Sequence, residues 1–175
     1  MGKKKNPDGS AKQPAACIMP DLLYLGPVSA TSNGAFLARE GITHVLSIGK
    51  SPASRIDGIT YERLSLTDEE HSIIEPVATR ASEIIDKAAS AGGKVLVHCS
   101  AAISRSPTIV AAYLMKSRGM SLREALEVVA AARESVAPNP GFMRQLGDME
   151  KELFDGKSTF DPSGVTAMTR LASWL

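Results

Sequence analysis

Cysteine is almost missing from this chain: Cys17 and Cys99 are its two thiols in 175 residues. Two cysteines do not build a disulfide framework, and the polar, basic N-terminus has no apolar stretch to serve as a secretory signal. A reducing home is therefore expected, cytoplasmic or nuclear. Long hydrophobic runs are also lacking, so no membrane-spanning helix and no membrane partner are expected. Neither charge sign dominates. Lys and Arg number 20 against 19 Asp and Glu, for a formal net charge of +1, and this excludes the overall basic field of a nucleic-acid binder. The short Lys3-Lys4-Lys5 cluster reads as a solvated tail. The Met1-Gly2 start lacks the Ser or Thr at position 6 that a myristoylation signal wants, since Asn6 stands there. No internal repeat and no second domain can be found.

What is present suits one globular domain with an ordinary core, 43% of residues being hydrophobic. Residues 1–15, rich in Lys, Gly, Ser, Pro and Gln, read as a disordered leader. The domain is expected over 16–155. Residues 156–175 form a tail ending in a weakly amphipathic piece, Met168 to Leu175. A monomer is the expected state.

Within the domain, strand-like and helix-like patterns alternate. Ile18 to Leu25 holds two short apolar pieces around Pro20-Asp21. Thr31 to Glu40 has helical character and stops at Gly41. Thr43 to Ile48 and Thr60 to Leu66 read as strands, with a Gly, Ser and Pro loop between them. Glu75 to Ala91 places Val77, Ala78, Ala81, Ile84, Ile85 and Ala88 on one helical face, and Gly92-Gly93 ends it. Lys94 to His98 is a short apolar strand. A helix follows from Arg105 to Arg118, stopped by Gly119, and another opens on the capping-box pair Ser121 and Glu124 and runs to Arg133. After the Pro138-Asn139-Pro140-Gly141 turn, Phe142 to Phe154 forms the last helix. The order implies an α/β fold: a three-layer sandwich with a central, mostly parallel sheet flanked by helices.

Chemistry concentrates in His98-Cys99-Ser100-Ala101-Ala102-Ile103-Ser104-Arg105-Ser106. The segment joins a buried strand to a helix start, a turn that aims successive backbone N–H groups and a positive dipole end at one spot. Such a loop holds an anion, and residues 100 to 105 are its phosphate-binding candidates. It also lowers a cysteine pKa from about 8.5 toward roughly 3.5–7.5, which would ready Cys99 as a nucleophile. A lone cysteine after a strand is more often a small core residue, and Cys17 is read that way. Arg105 shifts the balance for Cys99: six residues on, its planar fork can grip two phosphate oxygens, and a cation at a helix start opposes the dipole unless an anion compensates it. Ser106 is placed to hydrogen-bond the sulfur and help it leave. His98 reads as a buried orienting group, His44 as strand or core, and His71 as loop surface. A phosphate ester needs a general acid as well, and the Asp68-Glu69-Glu70 loop can supply it. Composition does not choose among these three.

The stretch from Val95 to Thr108 resembles the signature of the dual-specificity branch of the cysteine-dependent protein phosphatases. The likeness extends over Ile18 to Leu153 through Leu22 to Gly26 (LLYLG), Gly41 to Leu46 (GITHVL), Ala111 to Met115 (AAYLM) and Asn139 to Leu146 (NPGFMRQL). The resemblance implies a Cys nucleophile at Cys99, the phosphate-loop Arg at Arg105, the following Ser at Ser106 and an upstream acid at Asp68, whose spacing from Cys99 decides against Glu69 and Glu70. His98 and Asn139 take supporting places. It also implies no metal, no cofactor, and a phosphorylated protein as substrate, with phosphotyrosine and phosphoserine/threonine both hydrolysed. Few aromatics (5%) in a short chain leave little material for a deep pocket selecting phosphotyrosine alone.

One position departs from the family: Ala102 stands where Gly is usual. If positive φ is required there, a Cβ costs about 1–2 kcal/mol, and a methyl could crowd a phosphate. A formed loop with reduced or altered activity is expected. The alternatives are a phosphate-binding pseudophosphatase module weakened by Ala102, a phosphatase of a non-protein phosphoester such as a phosphoinositide, and another cysteine enzyme that cradles an oxyanion, as sulfurtransferases and arsenate reductases do. The last lacks support, because those enzymes have no matching upstream Asp and Cys17 is remote in sequence. Against a phosphoinositide, residues 100–104 carry no lysine for a highly charged headgroup.

Overall fold

Apolar side chains alternate along the short strands and send successive residues to opposite faces of one sheet. The structure, a computed structural model, describes residues 14–159. Most of the expected leader and the tail beyond residue 159, including Met168 to Leu175, lie outside the described residues. The strands are β1 (Ala16–Met19), β2 (Leu23–Pro27), β3 (His44–Ile48), β4 (Thr60–Leu64) and β5 (Val95–Cys99), in the spatial order β1-β2-β5-β3-β4. Only β1 and β2 pair antiparallel; the other three pairings are parallel. At the centre β5 is buried at every position, as a strand covered on both faces must be.

Among the described residues, five α-helices cover the sheet: α1 (Gly34–Glu40), α2 (Glu75–Ser90), α3 (Arg105–Arg118), α4 (Leu122–Ala132) and α5 (Pro140–Leu153). Leu23, Leu25, Leu46, Ile48, Val95 and Val97 face the large core formed with α2 to α5. Their neighbours Tyr24, Val45 and Leu96 face a smaller core with Phe36 and Leu37 of α1. This is the expected three-layer arrangement. Gly41 (φ 70) and Gly119 (φ 67) end α1 and α3 in the left-handed conformation that a Cβ disfavours.

Several expectations need correction. Thr31 to Glu40 is not one helix. A 3-10 helix over Val28–Ser32 precedes α1, and Asn33 separates them by accepting a hydrogen bond from the Phe36 N–H at 3.0 Å, because an Asn side chain satisfies a helix N-terminus better from outside it. The strand expected to reach Leu66 stops at Leu64, and α5 opens at Pro140, not Phe142. Cys17 is exposed rather than in the core. It sits on edge strand β1 beside buried Ile18, and alternation turns it outward.

Candidate active site

The strand-loop-helix unit β5–α3 places Cys99 at the strand end and Arg105 at the first helical position. Between them the chain bends without regular structure. Among the described residues, no backbone N–H from Ser100 to Ser104 donates to a protein acceptor. Unspent donors at a helix start make an anion site. The loop is anchored by its carbonyls instead: Val28 N–H donates to Ser100 O at 3.2 Å, and Ala137 N–H to Ile103 O at 2.8 Å.

Cys99 lies at the floor of this loop, 2% exposed. The Ser106 hydroxyl donates to its sulfur at 3.2 Å. Arg105 spans the loop above, its Nη2 donating to Ser100 Oγ at 3.0 Å, while its Nε is buried with no partner among the described residues. A buried donor without an acceptor is costly, and an oxyanion in the loop would satisfy it. Gly49 provides the seat for the guanidinium: a Cβ there would collide with Arg105 Nη1 and stand 2.8 Å from the Leu66 carbonyl oxygen.

Asp68 reaches the loop from the β4–α2 connection. Its Oδ1 accepts from Ser104 Oγ at 2.6 Å and from Asn139 Nδ2 at 3.0 Å. Ser104 Oγ also accepts from Asn139 N–H at 3.0 Å, and Asn139 Oδ1 caps α5 by accepting from Phe142 N–H at 2.9 Å. The β5–α3 loop, the β4–α2 connection and α5 thus meet at the side chains of Ser104, Asp68 and Asn139. The rest of α5 grips the same connection. Gly141 packs so closely on Glu70 that a Cβ would overlap the Glu70 main chain. Gln145 bonds Ser72 O at 2.9 Å and Ile74 N–H at 3.0 Å, and Arg144 pairs with Glu70 at 2.6 Å. Glu69 is drawn away toward His71, at 3.0 Å on the exposed surface.

His98 is fully buried in β5. Its Nε2 is 2.8 Å from Ser47 Oγ on β3 and its Nδ1 3.2 Å from Cys99 O. Burial pushes its pKa down, partly offset by the Cys99 carbonyl. A neutral ring that ties two strands can orient Cys99 through the main chain. His44 is half-buried at the start of β3, beside Thr43 Oγ1.

Ala102 has φ 55, in the left-handed region, and is 0% exposed among core side chains. The backbone strain anticipated for a Cβ there is present, whereas the methyl packs inward rather than standing at an open mouth. Ser104 keeps its main-chain N–H unspent in the loop, and its hydroxyl is committed to Asp68. Sequence reasoning missed Ser47, Gly49 and Arg133. Arg133, at the C-terminal end of α4, has Nη2 3.5 Å from Ala101 O. Burial lowers its pKa, and charge on Cys99 opposes that shift. A cation just beyond a helix C-terminus before a Pro-rich turn was the available signal, and a weak one, because many such residues simply complement the dipole.

Beside the loop opens a cleft of about 450 Å³. Gly49, Lys50, Arg63, residues 66–69 and Arg105 line it. A thiol, a guanidinium, a carboxyl group and unspent amides on converging elements can support displacement at phosphorus.

Comparison with known proteins agrees with this geometry. The family model "Dual specificity phosphatase, catalytic domain" matches residues 23–152. Dual specificity protein phosphatase 1 of Arabidopsis thaliana is 44% identical over 133 residues, which cover 75% of this chain and 67% of that protein. The crystal structure of human DUSP28 superposes with a TM-score of 0.75 at 32% identity, covering 80% of this chain and 95% of that one. The human tyrosine phosphatase-like serine/threonine/tyrosine-interacting protein gives a TM-score of 0.73 at 34% identity, over 81% and 98% of the two chains.

Proposed function

The chain belongs to the dual specificity phosphatase family and is a cysteine-dependent protein phosphatase, and we propose that it cleaves phosphotyrosine and phosphoserine/threonine through a phospho-cysteine at Cys99. The Cys99 sulfur attacks phosphorus and the bond to the leaving oxygen breaks, while Asp68 gives that oxygen its proton. Amides of residues 100–104 and the Arg105 fork hold the equatorial oxygens as charge spreads over them. Water then attacks the phospho-cysteine, with Asp68, now ionised, taking a proton from it. Phosphate forms and the sulfur departs as a thiolate, steadied by the Ser106 hydroxyl.

The observation that carries this reading is the joint placement of two hydroxyls from one loop-to-helix turn: Ser106 Oγ on the Cys99 sulfur and Ser104 Oγ on the Asp68 carboxylate. Nucleophile and acid are thereby fixed to a single scaffold. A module that only captures phosphate has use for neither contact. The inward packing of the Ala102 methyl also favours turnover over capture alone.

Cys99→Ser is expected to abolish hydrolysis of phosphopeptides and to keep their binding. Asp68→Ala should slow phosphoserine peptides by roughly a hundredfold or more and p-nitrophenyl phosphate far less, because a good leaving group needs little proton donation. Unchanged phosphoserine turnover by Asp68→Ala would remove that carboxylate from the mechanism.

A further inference from the structure

The cleft beside Arg105 has a wall of unspent positive charge. Lys50 is exposed, its main-chain N–H donates to Ile48 O, and its ammonium group has no hydrogen-bond or ion-pair partner among the described residues. Arg63 is held rigidly, Nε donating to Gly49 O at 2.8 Å and Nη1 to Ser65 Oγ at 3.2 Å. Both acceptors are neutral, so its charge also stands uncompensated. Of the nearby carboxylates, Glu70 pairs with Arg144 and Glu69 lies against His71, while Asp68 is bonded to the neutral Ser104 hydroxyl and Asn139 amide.

We propose that Lys50 and Arg63 form a subsite for a second anionic group, a carboxylate or a phosphate on a residue flanking the phospho-residue of the substrate. The proposal rests on reading the neighbouring loop as the phosphate site, and extends it to substrate choice. Lys50, Arg63 and Arg105 line one continuous cleft, so a peptide with its phosphate on Arg105 passes the two cations. Arg63 is already ordered by its main-chain bond, so little freedom is lost when it binds.

The test is binding to the Cys99→Ser protein, read by fluorescence anisotropy. A phosphotyrosine peptide carries one glutamate, glutamine or phosphoserine, moved through the positions on either side. At one position the glutamate peptide should bind roughly threefold to tenfold tighter than its glutamine partner. That preference should shrink at high salt and vanish in Lys50→Glu/Cys99→Ser. A preference for phosphoserine alone supports the subsite and identifies phosphate as its ligand. Equal binding of all three peptides at every position overturns the proposal, as does a preference that survives both Lys50→Glu and Arg63→Gln. Absence of any phosphopeptide binding overturns it too. Hydrolysis of p-nitrophenyl phosphate by the wild type, an ester with no flanking group, separately reports the phosphatase reading. Discrimination without that hydrolysis keeps the subsite and sinks the enzyme.

Discussion

Ala102 and Gly49 occupy opposite conformational positions: one has a Cβ where the backbone disfavours it, the other lacks a Cβ where a cation needs the room. For Ala102 three effects nearly cancel. Left-handed strain costs about 1–2 kcal/mol, the buried methyl returns about 0.8 kcal/mol, and the backbone freedom of a glycine would remove roughly 0.5–1 kcal/mol. Ala102→Gly should therefore shift stability by less than about 1 kcal/mol in urea titration and leave kcat within about threefold. A gain of an order of magnitude would instead make this methyl a brake. Gly49 offers a sharper test, since Gly58 supplies its control. Both have positive φ, 84 and 81, but a Cβ at 58 meets nothing within 4 Å. Both variants should bear the left-handed strain, and Gly49→Ala should lose further stability because its Cβ would also crowd the Leu66 carbonyl oxygen. Only Gly49→Ala should lose kcat, by roughly tenfold to a hundredfold, because it displaces the Arg105 fork. Equal kcat in the two variants would deny Gly49 any role in seating that side chain.

At the scale of elements, α4 and α5 are joined by a buried acid. Glu150 of α5 is 1% exposed. It accepts from the Leu122 N–H at the start of α4 at 2.7 Å, and from Ser158 Oγ and Thr159 N–H at 2.8 and 2.7 Å. Burial would raise its pKa, but the bonds from Thr159, Leu122 and Ser158 outweigh it and leave it lowered. Glu150→Ala should destabilise by roughly 1–3 kcal/mol, the range for stranding a buried donor. The sign with pH follows from the lowered folded value. The stabilisation is complete above the unfolded glutamate pKa of about 4.3 and is lost as pH falls through the folded one. The gap between wild type and Glu150→Ala, measured by thermal unfolding, should narrow as the medium is acidified. A constant gap would mean the charge contributes nothing. The helix boundaries around this junction were legible where punctuation is local: Gly119 stops α3, and the Ser121–Glu124 capping box opens α4. Glu150 was not legible, because its partners come from another helix and from the tail. The same limit explains the split at Asn33, where a side-chain cap outweighed the apparent helical character of Thr31 to Glu40.

Across the whole molecule, the sheet order was readable as a class but not as a sequence of neighbours. Apolar runs identify β5 as buried; nothing local says that it lies between β2 and β3. Within the site, the β5–α3 segment could be interpreted because one short turn carries Cys99, Arg105 and Ser106. Asp68 needed the family resemblance to be chosen over Glu69 and Glu70. Its two hydrogen-bond partners, Ser104 and Asn139, span 36 and 71 residues in sequence. Ser47 and His98 are paired only because β3 and β5 are neighbours.

Because the Asp68 carboxylate is already berthed against the phosphate loop, and α5 clamps the connection that carries it, no segment has to travel before the leaving group receives its proton. Turnover should accordingly be indifferent to solvent friction: adding a microviscogen ought to leave kcat for p-nitrophenyl phosphate unchanged, whereas a rate that drops in proportion to viscosity would mean the berth opens and closes in every cycle.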